Sequence, residues 1–340
     1  MWKSLLGLAV VGALTLGAGA WWVNAKLDAP HRGFDEPEVF VEVLPGTGIS
    51  TIGQQLIGAG VIADDWAFRL AAQLTGADRR LQAGEYRFAD PASPREVVER
   101  LAAGDIYTRP VTFREGLTVT EMSEVFERAG LGPREAFLQA AENTALAAAW
   151  DAEAPSLEGY LFPDTYALPR RTSAEATVRA MITGFEQAFD AELARAAAER
   201  GLTVREVVTL ASLIEKETAA ADERAVVSAV YHNRLRRGML LQCDPTVIYA
   251  LMLDGRWNGN LRRVDLQLDS PYNTYRYAGL PPGPIAAPGR AALVAALNPA
   301  DVPYLYFVSR NDGTHAFAST LAEHNRNVQQ WQVRYFRERR

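Results

Sequence analysis

Residues 203–218 have the sequence TVREVVTLASLIEKET. Thr203 and Glu206 have the spacing of a capping box, which predicts that a helix starts here. Because most positions from Val207 to Ile214 are apolar or small, we expect this helix to be buried in the core of a domain. The helix then ends in a charged Glu-Lys-Glu sequence, so the same segment contains a core element and candidate catalytic groups.

Glu215 is the predicted catalytic residue of this helix. At about 3.6 residues per turn, its side chain shares a face with Val208, Ala211 and Ser212, whereas Glu217 points roughly the opposite way. Burial and the negative end of the helix dipole both favour the protonated form of a carboxyl at this position. Such a carboxyl can act as a general acid near neutral pH. The alternative is that the charged residues only mark a helix leaving the core.

The N-terminal segment contains an uncharged apolar run over residues 5–23. Lys3 precedes it and Trp21 and Trp22 end it. A helix that spans a bilayer needs about 20 apolar residues, and a tryptophan pair is typical of the membrane interface. We therefore predict an uncleaved membrane anchor over residues 1–23. The alternative is a cleaved signal peptide, because residues 18–20 have the A-x-A form of a cleavage site.

Composition argues against several classes of protein. The net charge of −6 argues against a broad nucleic-acid-binding surface. A single cysteine, Cys243, allows neither an internal disulfide nor a CxxC metal site. The four histidines lie far apart, and none is part of an HExxH motif. We expect no metal, no cofactor and no nucleic-acid partner.

A small subdomain is predicted over residues 38–106, after a polar linker over residues 24–37. Val39–Val43 and Gly84–Phe88 have the composition of strands. Two short helices are expected between them, the first over about Ser50–Ala59. The resulting β-α-α-β order resembles a LysM-like glycan-binding module.

The pattern of residues 41–60 recurs without a gap in residues 111–130. Each segment has a strand, a glycine turn and an amphipathic helix, which indicates an internal duplication. The alternative is that any such sequence of elements would look alike. We expect the second copy to be part of a larger catalytic domain over residues 107–335.

Polar loops follow the buried helix. Asp222 is predicted to cap the next helix and Gly238 to end it. The loops at Leu241–Thr246, Pro271–Tyr275 and Gly279–Ile285 combine proline and glycine with Tyr, Asn, Gln and Asp. Rigid loops of this composition suit carbohydrate binding, because aromatic faces cover sugar rings and amides bond their hydroxyls. Taken singly, each loop is better explained as a structural turn than as a binding loop.

Together these motifs resemble the endolytic murein transglycosylases of the YceG-like (MltG) family. The resemblance extends over nearly the whole chain, from the apolar run to about residue 325. The motifs that carry it are Glu158–Tyr166, Ala211–Thr218, Asn233–Leu235, Gly238–Met239, Leu241–Thr246, Tyr272–Tyr275, Gly279–Ile285 and Tyr306–Val308. Cys243 departs from the Thr or Ser expected at its position.

The resemblance implies an α+β fold with a transmembrane helix, a LysM-like subdomain and a mixed catalytic domain. It also implies a lyase that cuts the bond between N-acetylmuramic acid and N-acetylglucosamine in nascent peptidoglycan strands. Glu215 would protonate the glycosidic oxygen and then deprotonate the muramyl C6 hydroxyl, which closes a 1,6-anhydro ring. The implied substrate-binding residues are Glu158, Tyr160, Asn233, Gln242, Asp244, Asn273 and Tyr275.

The implied location is the cytoplasmic (inner) membrane, with the catalytic domain on the periplasmic face beside penicillin-binding peptidoglycan synthases. Three alternatives remain open at this point. One is a muramidase that hydrolyses the same bond, and another is a non-catalytic glycan-binding scaffold for cell-wall synthases. The third is a peptidase or amidase built on Cys243, for which the sequence indicates no neighbouring base or helix N-terminus that would activate the thiol.

Overall fold

The computed structural model describes residues 2–337. Its first element is the helix α1, Trp2–Leu27, in which Leu6–Leu27 is long and apolar enough to cross a membrane. Large side chains of this helix, such as Leu14 and Leu16, are exposed, so the helix presents apolar surface that its own unit does not cover. Met1, the first residue of the predicted anchor, lies outside the described residues.

The chain divides into two compact units. The first runs to Arg109 and includes Ala167–Arg171, and the second comprises Pro110–Tyr166 and the described residues from Thr172 onward. The mixture of helices with short antiparallel strands confirms the predicted α+β class.

The first unit contains the predicted β-α-α-β order. Its elements after α1 are β1 (Val39–Val43), α2 (Ile49–Gly58), α3 (Asp65–Leu74), β2 (Gly84–Phe88) and α4 (Pro94–Ala103). β1 pairs with β2 in antiparallel register, with Val41 opposite Tyr86. Both side chains are buried together with Leu56 and Phe68, so the alternating apolar positions of the strands form the core of this unit. Both predicted strands and both predicted helices are confirmed, whereas α4 is an addition.

The second copy of the repeated pattern begins with β3 (Thr108–Thr112) and continues with α5 (Val119–Arg128). Gly46 and Gly116 occupy equivalent turns and have φ angles of 80° and 76°, a left-handed conformation that favours glycine. Gly159 and Tyr160 resemble the Gly84–Tyr86 pattern of β2 in sequence, but they lie in a turn and not in a strand. The strand that pairs with β3 is β4 (Thr165–Pro169).

The remaining elements of the second unit are mainly helices. They are α6 (Arg134–Ala141), α7 (Ala174–Ala188), α8 (Ala191–Glu199), α9 (Val204–Glu217), α10 (Arg224–Arg236), α11 (Asp244–Leu253), α12 (Arg290–Leu297), β5 (Tyr306–Ser309), β6 (His315–Ala318), α13 (Leu321–Val328) and α14 (Tyr335–Arg337). α7 and α8 are separate helices, because the Asp190 carboxylate accepts hydrogen bonds from the Glu192 and Leu193 amides and so starts a new helix.

α9 is the central helix of this unit. The predicted capping box is confirmed, since the Thr203 hydroxyl accepts from the Glu206 amide at 3.2 Å and the Glu206 carboxylate accepts from the Thr203 amide at 2.8 Å. Every side chain from Val207 to Ile214 is buried, and α9 packs against α10, α11 and α12. Burial on all sides holds the two glutamates at its C-terminal end in fixed positions.

The start of α10 differs from the prediction. The helix begins at Arg224 with Glu223 at its N-cap and no side-chain cap, so the predicted capping role of Asp222 is wrong. Gly238 follows the helix with a φ angle of 64°, as expected for a residue that ends it.

Candidate active site

A cavity of about 240 Å³ lies beside the C-terminal end of α9. Polar and titratable groups from α9, α10, α11 and the β5–β6 hairpin converge on it. Its lining residues are Glu217, Arg234, Leu241, Gln242, Asp244, Tyr275, Phe307, Val308, Ser309 and His315. The cavity therefore combines a helix-borne carboxyl with the kinds of side chain that bind sugars.

Glu217 is the carboxyl of this cavity. The buried Tyr231 hydroxyl donates a hydrogen bond of 3.1 Å to its Oε1 atom, and the Cys243 thiol is a second neighbour. Burial raises the pKa of Glu217, and the negative charge of Asp244 raises it further, while the two hydrogen bonds and His315 act in the opposite direction. The side chain remains partly accessible from the cavity. A proton on Glu217 is thus retained to higher pH than on an exposed glutamate, yet it can reach a bound substrate.

The loop before α11 gives the cavity its other polar groups. Gln242 has a φ angle of 51°, a strained left-handed conformation for a residue that is not glycine. The backbone amide of Gln242 donates to the Thr274 carbonyl at 3.1 Å. The hydroxyl of Tyr275, the next residue after Thr274, donates to Asp244 Oδ1 at 2.5 Å. These bonds tie the two predicted sugar-binding loops to each other and hold an amide, a carboxylate and a phenol at one site.

Glu215 lies in a different place. Its Oε2 atom accepts a hydrogen bond of 3.0 Å from the Gly289 amide, at the start of α12. Burial raises the pKa of Glu215, and the bond from Gly289 opposes that effect. It lines an open groove of about 550 Å³, whose other lining residues are Thr112, Phe113, Arg114, Glu115, Pro163, Asp164, Thr165, Ala219 and Arg224.

The structure therefore brings three predicted substrate-binding residues together, but not around the predicted acid. Gln242, Asp244 and Tyr275 line the cavity of Glu217, and none of them lines the groove of Glu215. The two glutamates are separated by about half a helical turn, which places them on opposite faces of α9.

The other four predicted binding residues form part of the internal scaffold and line neither space. Glu158 accepts from the Val119 amide at 3.1 Å and from the Tyr249 hydroxyl at 3.3 Å. The Tyr160 hydroxyl donates to Asp151, which is paired with Arg205.

The two asparagines organise loops in the same way. Asn233 donates to the carbonyls of Val302 and Tyr304 at 2.9 and 2.8 Å. Asn273 is fully buried and donates to two carbonyls of its own loop, those of Leu266 and Leu268. Their amides satisfy buried backbone groups, so they support the shape of the site from outside the cavity.

Glu158 gives the fold a specific pH dependence. Burial raises its pKa to about 8 from the usual value near 4.5. The folded chain then holds a proton that the unfolded chain releases, so we expect stability to fall as pH rises from about 4.5 to 8, by at most about 1.4 kcal/mol per pH unit. Denaturant unfolding at a series of pH values measures this fall. In Glu158→Gln the fall should be smaller over the same range, and an unchanged profile would contradict the role of Glu158.

Sequence reasoning missed Glu217, His315 and Arg234. The motifs that contain Glu217 and Arg234 were recognised, but periodicity alone does not say which face of a buried helix meets a cavity. His315 gave no signal, because it lies on a short strand outside the matched motifs. Among residues 2–337, no group of three or more His, Cys, Asp or Glu side chains is arranged to hold a metal ion.

Comparison with known proteins gives consistent matches along the chain. The model of the YceG-like family matches residues 41–330. An endolytic murein transglycosylase of Bacillus subtilis is 30% identical over 91% of this chain and 89% of its own length. An endolytic murein transglycosylase of Streptococcus pneumoniae is 28% identical over 95% of this chain, which spans only 64% of that longer protein.

A solved structure matches as well. The crystal structure of a YceG-like protein from Listeria monocytogenes is similar with a TM-score of 0.59 and 29% sequence identity. The match covers 85% of this chain and 98% of that one. The sequence matches and the structural match are therefore consistent with each other.

Proposed function

The chain belongs to the YceG-like family, and we propose that it is an endolytic murein lytic transglycosylase, a lyase, with Glu217 as its general acid. The observation that carries the choice of residue is the cavity itself. Gln242, Asp244 and Tyr275, which the sequence indicates as sugar-binding, line the cavity of Glu217. This proposal moves the acid from Glu215 to the second glutamate of the same motif.

Glu217 suits the first step of the reaction. Its proton passes to the oxygen of the bond between N-acetylmuramic acid and N-acetylglucosamine, and the bond from the muramyl C1 atom to that oxygen breaks. The hydrogen bond from Tyr231 fixes the carboxyl during the transfer and stabilises the carboxylate that remains. The acetamido group of the substrate stabilises the oxocarbenium-like centre at C1.

The second step closes a ring. The muramyl C6 hydroxyl attacks C1, and its proton restores the acid form of Glu217, which gives a 1,6-anhydromuramyl end without consuming water. Such a reaction uses one carboxyl as its acid and no carboxylate nucleophile, in contrast to the two carboxylates of most glycosidases. Tyr275 and Asp244, joined by their hydrogen bond, offer an aromatic face and an acceptor to the sugar ring on the other side of the cavity.

The proposal extends to the location of the reaction. α1 would anchor the chain in the cytoplasmic (inner) membrane, with the rest on the periplasmic face. Its exposed apolar side chains and the pair Trp21 and Trp22 support this arrangement. Residues 38–106 would act as a LysM-like glycan-binding subdomain, and residues 107–335 as the catalytic domain. An anchored enzyme would meet nascent strands beside the penicillin-binding synthases and terminate their elongation.

Product analysis tests the activity. We expect the purified full chain in detergent to convert nascent, uncrosslinked glycan into fragments that end in 1,6-anhydro-N-acetylmuramic acid. Mass spectrometry distinguishes this product from that of a muramidase, because the hydrolysed end is heavier by one water. Fragments with only hydrolysed ends would establish the muramidase instead, and bound but uncut glycan would establish a scaffold.

A further inference from the structure

His315 is the histidine of the cavity that contains Glu217. It begins β6 and pairs with Ser309, the last residue of β5, so a tight hairpin fixes its backbone. Its ring packs against those of Phe307 and Phe317, with centroid distances of 5.3 and 6.2 Å. Only 11% of the side chain is exposed. The imidazole is therefore a rigid part of the cavity wall.

Glu223 holds this histidine with both of its carboxylate oxygens. Oε2 lies 2.7 Å from the His315 Nδ1 atom, and Oε1 accepts a 2.9 Å hydrogen bond from the His315 amide. The Thr218 hydroxyl, one residue beyond α9, makes a longer contact of 3.5 Å with Oε2. A carboxylate at Nδ1 keeps a proton on that nitrogen, which leaves Nε2 as the acceptor of the neutral ring. Within the described part of the chain, the hydrogen bonds of the ring are confined to Nδ1.

We propose that His315 is the general base of the ring-closing step, with Glu223 as its positioning residue. The inference rests on the proposed function and adds a second group to it. As the muramyl C6 oxygen forms its bond to C1, the C6 hydroxyl proton moves to His315 Nε2. The glycosidic oxygen has already received the proton of Glu217. The imidazolium then returns its proton to the Glu217 carboxylate, so the cycle ends with both groups in their starting state.

The charges around the pair suit this exchange. Asp244, Cys243, Tyr231, Tyr275 and Arg234 surround Glu217 from the neighbouring elements, and Glu223 faces His315 from the start of α10. The Glu223 carboxylate stabilises the imidazolium that forms during ring closure. The same carboxylate would have no such use beside a histidine that only filled space.

His315→Gln tests the assignment in the full chain. We expect kcat to fall by about 10²-fold or more, the range for loss of a general base, with little change in KM. His324→Gln is the matched control, because His324 stacks on Tyr306 outside the cavity lining and its replacement should leave kcat unchanged.

Chemical rescue separates a catalytic role from a structural one. In His315→Ala, added imidazole should occupy the vacated space and restore formation of anhydromuramyl ends. Glu223→Gln should lower kcat less than His315→Gln does. Wild-type kcat in His315→Gln, or failure of imidazole to restore activity to a folded His315→Ala, would each overturn the role of His315. Absence of anhydromuramyl product from the wild type would overturn the proposed function instead.

Discussion

Replacement of Glu217 with glutamine is expected to lower the rate of anhydromuramyl product formation by about 10²–10⁴-fold, the usual contribution of a general acid. The amide has the same shape, and its oxygen can still accept the hydrogen bond from Tyr231, but it has no acidic proton to give. We therefore expect the variant to keep its fold and its binding of glycan. Single-turnover rates on nascent glycan measure the loss, and the midpoint of thermal unfolding verifies the fold.

Glu215→Gln is the matched control, since it makes the same change two residues away. Its amide oxygen can still accept from the Gly289 amide, so the start of α12 should stay in place. We expect this variant to retain activity within a few-fold of the wild type. A dead Glu215→Gln together with an active Glu217→Gln would reverse the assignment and place the acid in the groove beside Arg224.

The pKa of Glu217 also determines how the reaction rate changes at alkaline pH. The reaction needs its protonated form, so the rate should fall as pH rises through its pKa. Because burial raises that pKa, the fall is expected at higher pH than for an exposed glutamate. This fall should be retained in His315→Gln, because that variant keeps Glu217.

The sequence predicted the buried helix α9, but local patterns did not indicate which of its two C-terminal glutamates lines the cavity with the sugar-binding loops. A capping box and a run of apolar residues are local signals, so α9 was located within a residue at each end. Because α9 is buried on every side, its sequence has no contrast between an apolar face and a polar face. Which of the two glutamates meets the sugar-binding loops then depends on how residues far apart in the chain pack, and no local pattern contains that information.

The same limit applies to the predicted binding residues. Asn273 and Tyr275 belong to one motif and have equally suitable side chains, yet Asn273 holds the backbone of its loop whereas Tyr275 faces the cavity. In a tight loop, a polar side chain satisfies buried carbonyls as readily as it binds a ligand. A motif therefore identifies the loop that forms a site, while the direction of each side chain follows from tertiary packing.

Arg234 links the stability of the second unit to the shape of the cavity that contains Glu217. Its Nε atom donates to the Leu305 carbonyl at 2.6 Å, and its Nη1 atom donates to the carbonyls of Leu240 and Leu241 at 3.1 and 2.9 Å. Arg234, Leu241 and Leu305 are buried, so the carbonyls of these two leucines have no ready access to water if the guanidinium is removed. Each buried acceptor that loses its partner costs about 1–3 kcal/mol.

Arg234→Met should therefore lower the free energy of unfolding by about 3–5 kcal/mol, although methionine fills much of the same space. Arg234→Lys keeps the charge but lacks the planar fork that reaches separate carbonyls, so we expect an intermediate loss. Arg237→Met, at an exposed position one turn later in the chain, should change stability by no more than about 0.5 kcal/mol. Urea denaturation of the three variants measures these differences. Equal stability of Arg234→Met and Arg237→Met would contradict this prediction. It would mean that the carbonyls of Leu240, Leu241 and Leu305 find other donors. Arg234 would then serve the substrate rather than the loop before α11.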